Sequence, residues 1–219
     1  MKEIITDEIL LSERSEEIDV RKENVLMREI IIELKEVCRL HNALGVAAPQ
    51  IGYQKRLFVI NFNGDIRTFI NPIVIKVEGF GLSREACLSV PGKEFIRPRH
   101  NQITVAYQTP LGKMETRKLV GKAAEVFQHE LDHLDGLLIS DIGLEIDENY
   151  DKASENEKAE LIKAYLDSLD LKQKEITTEI ENTPELKEMS DGIKFMEAVS
   201  SGEVEFKGTE TIIKEAEEE

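Results

Sequence analysis

At 219 residues, with 28 basic and 44 acidic side chains, a formal charge of −16 and 41% hydrophobic residues, the chain has the size and composition of one globular domain with an appendage. So acidic a balance excludes a broad basic face for nucleic acid, and two cysteines exclude a disulfide-stapled scaffold. No run approaches the roughly 18 apolar residues of a membrane span, and Met1-Lys2-Glu3 opens directly into charged sequence, so the expectation is a cytoplasmic protein without membrane contact.

The charge is unevenly placed. Residues 1–146 hold 22 acids and 19 bases, residues 147–219 hold 22 acids and 9 bases, and all four histidines and both cysteines lie in the first part. A domain bearing the chemistry over residues 1–146 and an acidic extension over 147–219 are expected. In chain order, Leu26, Ile30, Leu34, Val37 and Cys38 recur at spacings of three and four, predicting an amphipathic helix over Val25 to Leu40. Cys38 on its apolar face reads as core filler, and His41 as a helix-end residue near the terminal carbonyls. Gly45 to Gly52, rich in small residues and containing Pro49, reads as a loop feeding a buried strand at Leu57-Phe58-Val59-Ile60. Phe69 to Val77 reads as a second strand, and Ile103 to Gln108 with Met114 to Val120 as a hairpin around Thr109-Pro110-Leu111-Gly112. Helical period returns from Lys122 to about Leu134. Strands running between two helices, with no βαβ alternation, indicate an α+β fold. In the extension, Ser154-Glu155-Asn156-Glu157 is a capping box ahead of Leu161, Ile162, Tyr165, Leu166 and Leu169. Thr183-Pro184-Glu185 starts a second helical pattern, and Lys214 to Glu219 reads as a frayed acidic end.

The sharpest chemical signal is His129-Glu130-Leu131-Asp132-His133. Histidines at i and i+4 share one helix face and can close on a single divalent ion, with Glu130 rotated to the adjacent face. Such an ion acidifies water it binds, and a neighbouring carboxylate can take and return the proton. A third ligand has to come from elsewhere; Cys87, His41, His100 and an acidic residue are the candidates. Cys87 is favoured, because Glu85-Ala86-Cys87-Leu88-Ser89-Val90-Pro91 reads as a loop able to present a thiol, whereas His100 after Pro98-Arg99 reads as a surface residue.

Together, Gly45-Val46-Ala47-Ala48-Pro49-Gln50, Glu85-Ala86-Cys87-Leu88-Ser89 and Gln128-His129-Glu130-Leu131-Asp132-His133-Leu134 resemble the three ordered motifs of the peptide deformylases. The resemblance spans roughly residues 25–140. It implies an α+β fold in which antiparallel strands wrap a central helix carrying the metal motif, here with a helical acidic C-terminal extension. It implies a hydrolase that removes the formyl group from formyl-methionine on newly made polypeptides and releases formate. Cys87, His129 and His133 would hold one divalent metal, ferrous iron in the cell, with zinc, nickel or cobalt able to replace it. Glu130 would shuttle protons; the Gln50 amide and the Leu88 backbone N–H would donate to the oxyanion. Main-chain groups of Leu44, Gly45 and Ala86 would pair with an extended substrate, and Leu44, Val126 and His129 would line an apolar pocket for its methionine. Ala43 and Ala86 replace glycines usual in the family, which raises the question of positive φ or crowding there. Lys122 and Glu125 are polar on the helix leading to His129 and are expected to face solvent. A metallopeptidase using the same helix and a non-catalytic Cys-His-His site are the alternatives. The extension reads as a solvated appendage or a docking element for a basic protein partner, and its charge argues against direct nucleic-acid binding.

Overall fold

The computed structural model describes residues 2–182, 204–207 and 210–213. Two compact units divide the chain, residues 1–153 and 154–219. In the first, a capped turn α1 (Glu8–Leu11) precedes the long helix α2 (Asn24–Leu40). Met27, Ile30, Ile31, Leu34, Val37 and Cys38 form its buried stripe, as the spacing predicts. Asn42 ends it in the left-handed region at φ 50, with Asn42 N–H donating to Arg39 and Ala43 N–H to Cys38 across the helix end. His41 caps through its backbone N–H to Val37. Asn42 takes the left-handed position, and neither Ala43 nor Ala86 has a positive φ, so the missing glycines bring no backbone strain of that kind.

The strands β1 (Gly45–Ala47), β2 (Leu57–Phe62), β3 (Asp65–Glu78), β6 (Gln102–Gln108) and β7 (Met114–Val120) form one antiparallel sheet in the order β1-β2-β3-β6-β7. A second sheet, β4-β5-β8, is built from β4 (Gly81–Cys87), β5 (Val90–Arg99) and β8 (Leu144–Ile146). The mixed α/β fold with antiparallel sheets agrees with the expected class. Two segments expected as loops are more ordered. Gly45 to Ile51 is an edge strand followed by a 3-10 turn, Ala48–Ile51, because Gly45, Val46 and Ala47 pair with Ile60, Val59 and Phe58. Glu85 to Cys87 ends β4, and Leu88-Ser89 is the two-residue turn into β5 that brings Cys87 opposite Val90. The short apolar alternations of these strands are too brief to separate from loop composition.

Helix α3 (Lys122–Leu134) packs on β1, β2 and β7 through Ala124, Val126, Phe127 and Leu134. Phe127 meets Phe58 and Phe69 edge-on, at 5.0 and 5.3 Å between ring centres, a geometry favoured by the ring quadrupoles. Its C-terminal end is pinned from two sides: Arg56 donates to the Leu134 carbonyl at 3.2 Å and pairs with Asp135 at 2.7 Å, and Ser15 N–H also reaches Leu134. A cation there answers the unpaired carbonyls of the last turn. The unit closes with α4 (Ile139–Ile142) and α5 (Glu148–Lys152), whose Asp151 pairs with Arg84 of β4.

In the second unit, Ser154 and Glu157 exchange the capping-box hydrogen bonds and start α6 (Glu155–Asn182), 28 residues long. A hairpin of β9 (Val204–Lys207) and β10 (Glu210–Ile213), absent from the helical expectation, follows. The helix expected from Thr183 and the acidic end from Lys214 lie outside the described residues.

Candidate metal centre

Three elements meet at the site. α3 supplies His129 and His133, the end of β4 supplies Cys87, and the 3-10 turn after β1 supplies Gln50. One donor atom from each of Cys87, His129 and His133 lies within 4.8 Å of the others, and among the described residues no fourth His, Cys, Asp or Glu joins them. The Cys87 sulfur stands 3.2 Å from His133 Nε2, and the two rings cross at 81° with centres 5.1 Å apart. Basic lone pairs that converge so closely need a shared cation. One sulfur and two imidazole nitrogens suit a four-coordinate divalent ion with one position left open, so the donor set fits a resident metal.

The groups behind the donors are as ordered as the donors. Glu85, buried on β4, accepts from His129 Nδ1 at 2.8 Å, which turns the ring's Nε2 away from that carboxylate. Arg99 on β5 grips Glu85 with two bonds of 2.7 and 2.8 Å and reaches Asp132 on α3 at 2.6 Å. Although burial opposes ionisation, Arg99 and His129 hold the Glu85 carboxyl well below the ordinary carboxylate range. Burial likewise opposes protonation of His129, but the Cys87 sulfur and Glu85 raise its pKa to about 10, so a proton and a metal compete for this ring. His133 goes the other way: burial, then the positive charge of His129 and Arg99, keeps it neutral. Glu85, Arg99 and Asp132 have no assigned role in the sequence reading. Glu85 lies inside a recognised motif, but nothing local ties Arg99 to either acid.

Glu130 is buried, one carboxylate oxygen has no hydrogen-bond partner, and burial pushes its pKa up to about 7. Gly45 makes its position possible. A Cβ there would overlap the Glu130 carboxylate. Gln50 is also buried; its Oε1 accepts from Ala47 N–H at 2.9 Å, which aims its Nε2 at Ser89 Oγ, 3.2 Å away, and the Cys87 sulfur, 3.5 Å away. The structure thus brings Gln50, Cys87, His129, Glu130 and His133 together. Leu88 occupies the turn beside Cys87.

A cavity of about 610 Å³ opens over these residues. Leu44, Gly45, Ala86, Leu88, Val126 and His129 all line it. Two expectations need correction. Glu125 and Lys122 also line the cavity, standing one and two turns before His129 on the same face of α3; Glu125 is only 23% exposed, whereas Lys122 is exposed as expected. And the Leu44 carbonyl already accepts from Asn61 N–H at 2.8 Å. Cys38 is inert as expected: its thiol bonds the Ala43 carbonyl, and burial raises its pKa to about 11.

A sequence model described as Polypeptide deformylase matches residues 1–147. The chain belongs to this family. It is similar to the peptide deformylase of Dictyoglomus turgidum, 37% identical over 134 residues that make up 61% of this chain and 84% of that one. Among solved structures it resembles the Thermotoga maritima peptide deformylase at 32% identity and a TM-score of 0.60, covering 64% of this chain and 95% of that one. A probable peptide deformylase from Synechococcus phage S-SSM7 matches at 33% identity and a TM-score of 0.60, covering 64% and 99%. As a deformylase the chain is a metallohydrolase that removes the formyl group from peptide N-termini.

Proposed function

We propose that this deformylase acts in the cytoplasm on nascent formyl-methionyl chains with ferrous iron as its working metal, held by Cys87, His129 and His133, and that zinc, nickel or cobalt can stand in. The metal supplies Lewis acidity and a water acidified towards neutrality. Glu130, buried with a pKa near 7 and one free oxygen, takes a proton from the attacking water and gives it to the leaving amine. The Gln50 amide and the Leu88 backbone N–H donate to the oxyanion that forms on the formyl carbon, a term worth about 3 kcal/mol per donor. Supporting this reading above a general metallopeptidase is the orientation of Gln50, whose Oε1 is tied to Ala47 so that its N–H groups face the donor cluster. β1 and β4 are both sheet edges, so Leu44, apart from the carbonyl taken by Asn61, with Gly45 and Ala86 offers main-chain groups to an extended peptide lying between them. Val126, Leu44 and His129 border the space for its first side chain, and α3 is the central helix around which the strands of the catalytic domain, residues 1–146, are wrapped. The acidic extension, residues 147–219, would dock a basic protein partner rather than nucleic acid.

The test is formate release from formyl-Met-Ala-Ser by protein prepared without oxygen and loaded with Fe(II), beside Glu130→Gln. Release by the wild type, lost in a variant that retains metal, is the expected result. No release from correctly loaded wild type would overturn the reading.

A further inference from the structure

Resting on the deformylase reading, in which the Gln50 amide donates to the oxyanion, the segment before α1 acquires a part in the site. The Gln50 side chain moves with its own turn: Oε1 is tied to Ala47 N–H at 2.9 Å, and Pro49 stiffens the backbone between them. Where the amide points is therefore set by what seats the turn Ala48–Ile51. The carbonyls of Ala48 and Pro49 accept from the N–H groups of Tyr53 and Gly52, each at 3.0 Å, at the end of the turn itself. The Gln50 carbonyl accepts from a distant segment, Ile5 N–H at 2.9 Å. Gln50 is 2% exposed, so loss of that donor leaves a buried carbonyl unanswered and the turn free to shift. The residues around Ile5 are anchored: Ile4 packs on the core cluster that holds Ala48 and Ile51, and the Lys2 ammonium stands 4.5 Å from the centre of the Tyr53 ring, just past the turn. The same arm continues to the far side of the site. The Ser12 carbonyl approaches Gly136 so closely that no Cβ fits there, and Ser15 N–H reaches the Leu134 carbonyl at 2.9 Å, at the end of the helix that carries both histidines.

We propose that Ile5 is a positioning residue for the reaction. Its backbone N–H, through the Gln50 carbonyl, seats the oxyanion-donating amide, and the arm of residues 5–15 fixes that amide relative to α3.

Formate release from formyl-Met-Ala-Ser by the metal-loaded protein compares Ile5→Pro, which removes the N–H, with Ile5→Ala, which keeps it. Ile5→Pro is expected to lower kcat about tenfold with KM and metal content unchanged, and Ile5→Ala less than about threefold, against the roughly 10²–10³ that follows outright loss of an oxyanion donor. In a Gln50→Ala background Ile5→Pro is expected to lower kcat no further, because its effect runs through an amide that is no longer there; a merely structural role would add. Ile4→Ala loosens the same arm without removing a hydrogen bond; it should show the same pattern at smaller size, and it carries the test if Ile5→Pro does not fold. The Gln50 side-chain amide resonances, assigned by their loss in Gln50→Ala, read the seat without turnover and are expected to shift more in Ile5→Pro than in Ile5→Ala. Equal kcat in the two Ile5 variants, a rise in KM at constant kcat, an additive effect in the Gln50→Ala background, or unmoved amide resonances would each overturn the proposal. Shifted resonances with no formate released by the wild type would leave the positioning assignment standing and remove the deformylase reading instead.

Discussion

The two halves of α3 face one cavity and are built on opposite principles. In the C-terminal half, from His129 to Leu134, the charged groups other than Glu130 are tied to buried partners on other elements: His129 to Glu85, Asp132 to Arg99, and the helix end to Arg56. In the N-terminal half, Lys122 is 53% exposed and answers Glu125 three residues on. The first arrangement holds a geometry through ion pairs between the helix and the strands; the second borders the cavity with a half-exposed pair at little cost to the fold. One helix of 13 residues thus carries a rigid end at the metal donors and a looser, half-exposed end at the cavity wall.

The comparison breaks most visibly at Arg99. Arg99→Leu leaves the Glu85 and Asp132 carboxylates without their shared cation, and removing one partner from a buried pair costs about 3–5 kcal/mol. Denaturant unfolding of the metal-loaded protein should show that loss together with weakened metal retention. Gly45→Ala comes next. The added methyl displaces the Glu130 carboxylate, and overpacking of this kind costs about 1–3 kcal/mol; formate release should fall further than stability, because Glu130 moves while the metal donors do not.

Acid should select the rigid half as well. The Glu85 pKa is depressed by folding, so its stabilisation is full above the unfolded value of 4.5 and is lost as pH falls below it. Glu85→Gln should therefore flatten the acid limb of a stability profile measured by thermal melts. At the looser end the effect is small: Lys122→Met should change unfolding free energy by less than about 0.5 kcal/mol, as is usual for half-exposed pairs. Cys38 should show no effect at all. With its pKa at about 11, it stays protonated and unalkylated in native protein at pH 8, and mass spectrometry after chelation should find modification at Cys87 alone.

Much of the rigid half was legible beforehand. The i, i+4 histidines, the nearby acid and the three ordered motifs located Cys87, Gln50, Glu130 and the helix beneath them. Less legible were the structures around the motifs. The runs Gly45–Ala47 and Glu85–Cys87 are too short for their alternation to outweigh glycine and proline next to them, so both read as loops though the first is a whole edge strand and the second the end of β4. Arg99 stands 14 residues from Glu85 and 33 from Asp132, and its part in the site follows from β4 pairing with β5 under α3.

Sequence by itself determined that His129 and His133 can close on one metal ion, because helical periodicity converts a spacing of four into a shared face without reference to the rest of the chain. Tertiary structure alone decided what surrounds those atoms. The pairing of Glu85 with Arg99, the space that Gly45 leaves for Glu130 and the turn of Glu125 into the cavity arise where β1, β4 and α3 are brought together, and close approach between elements distant in sequence carries no local signature.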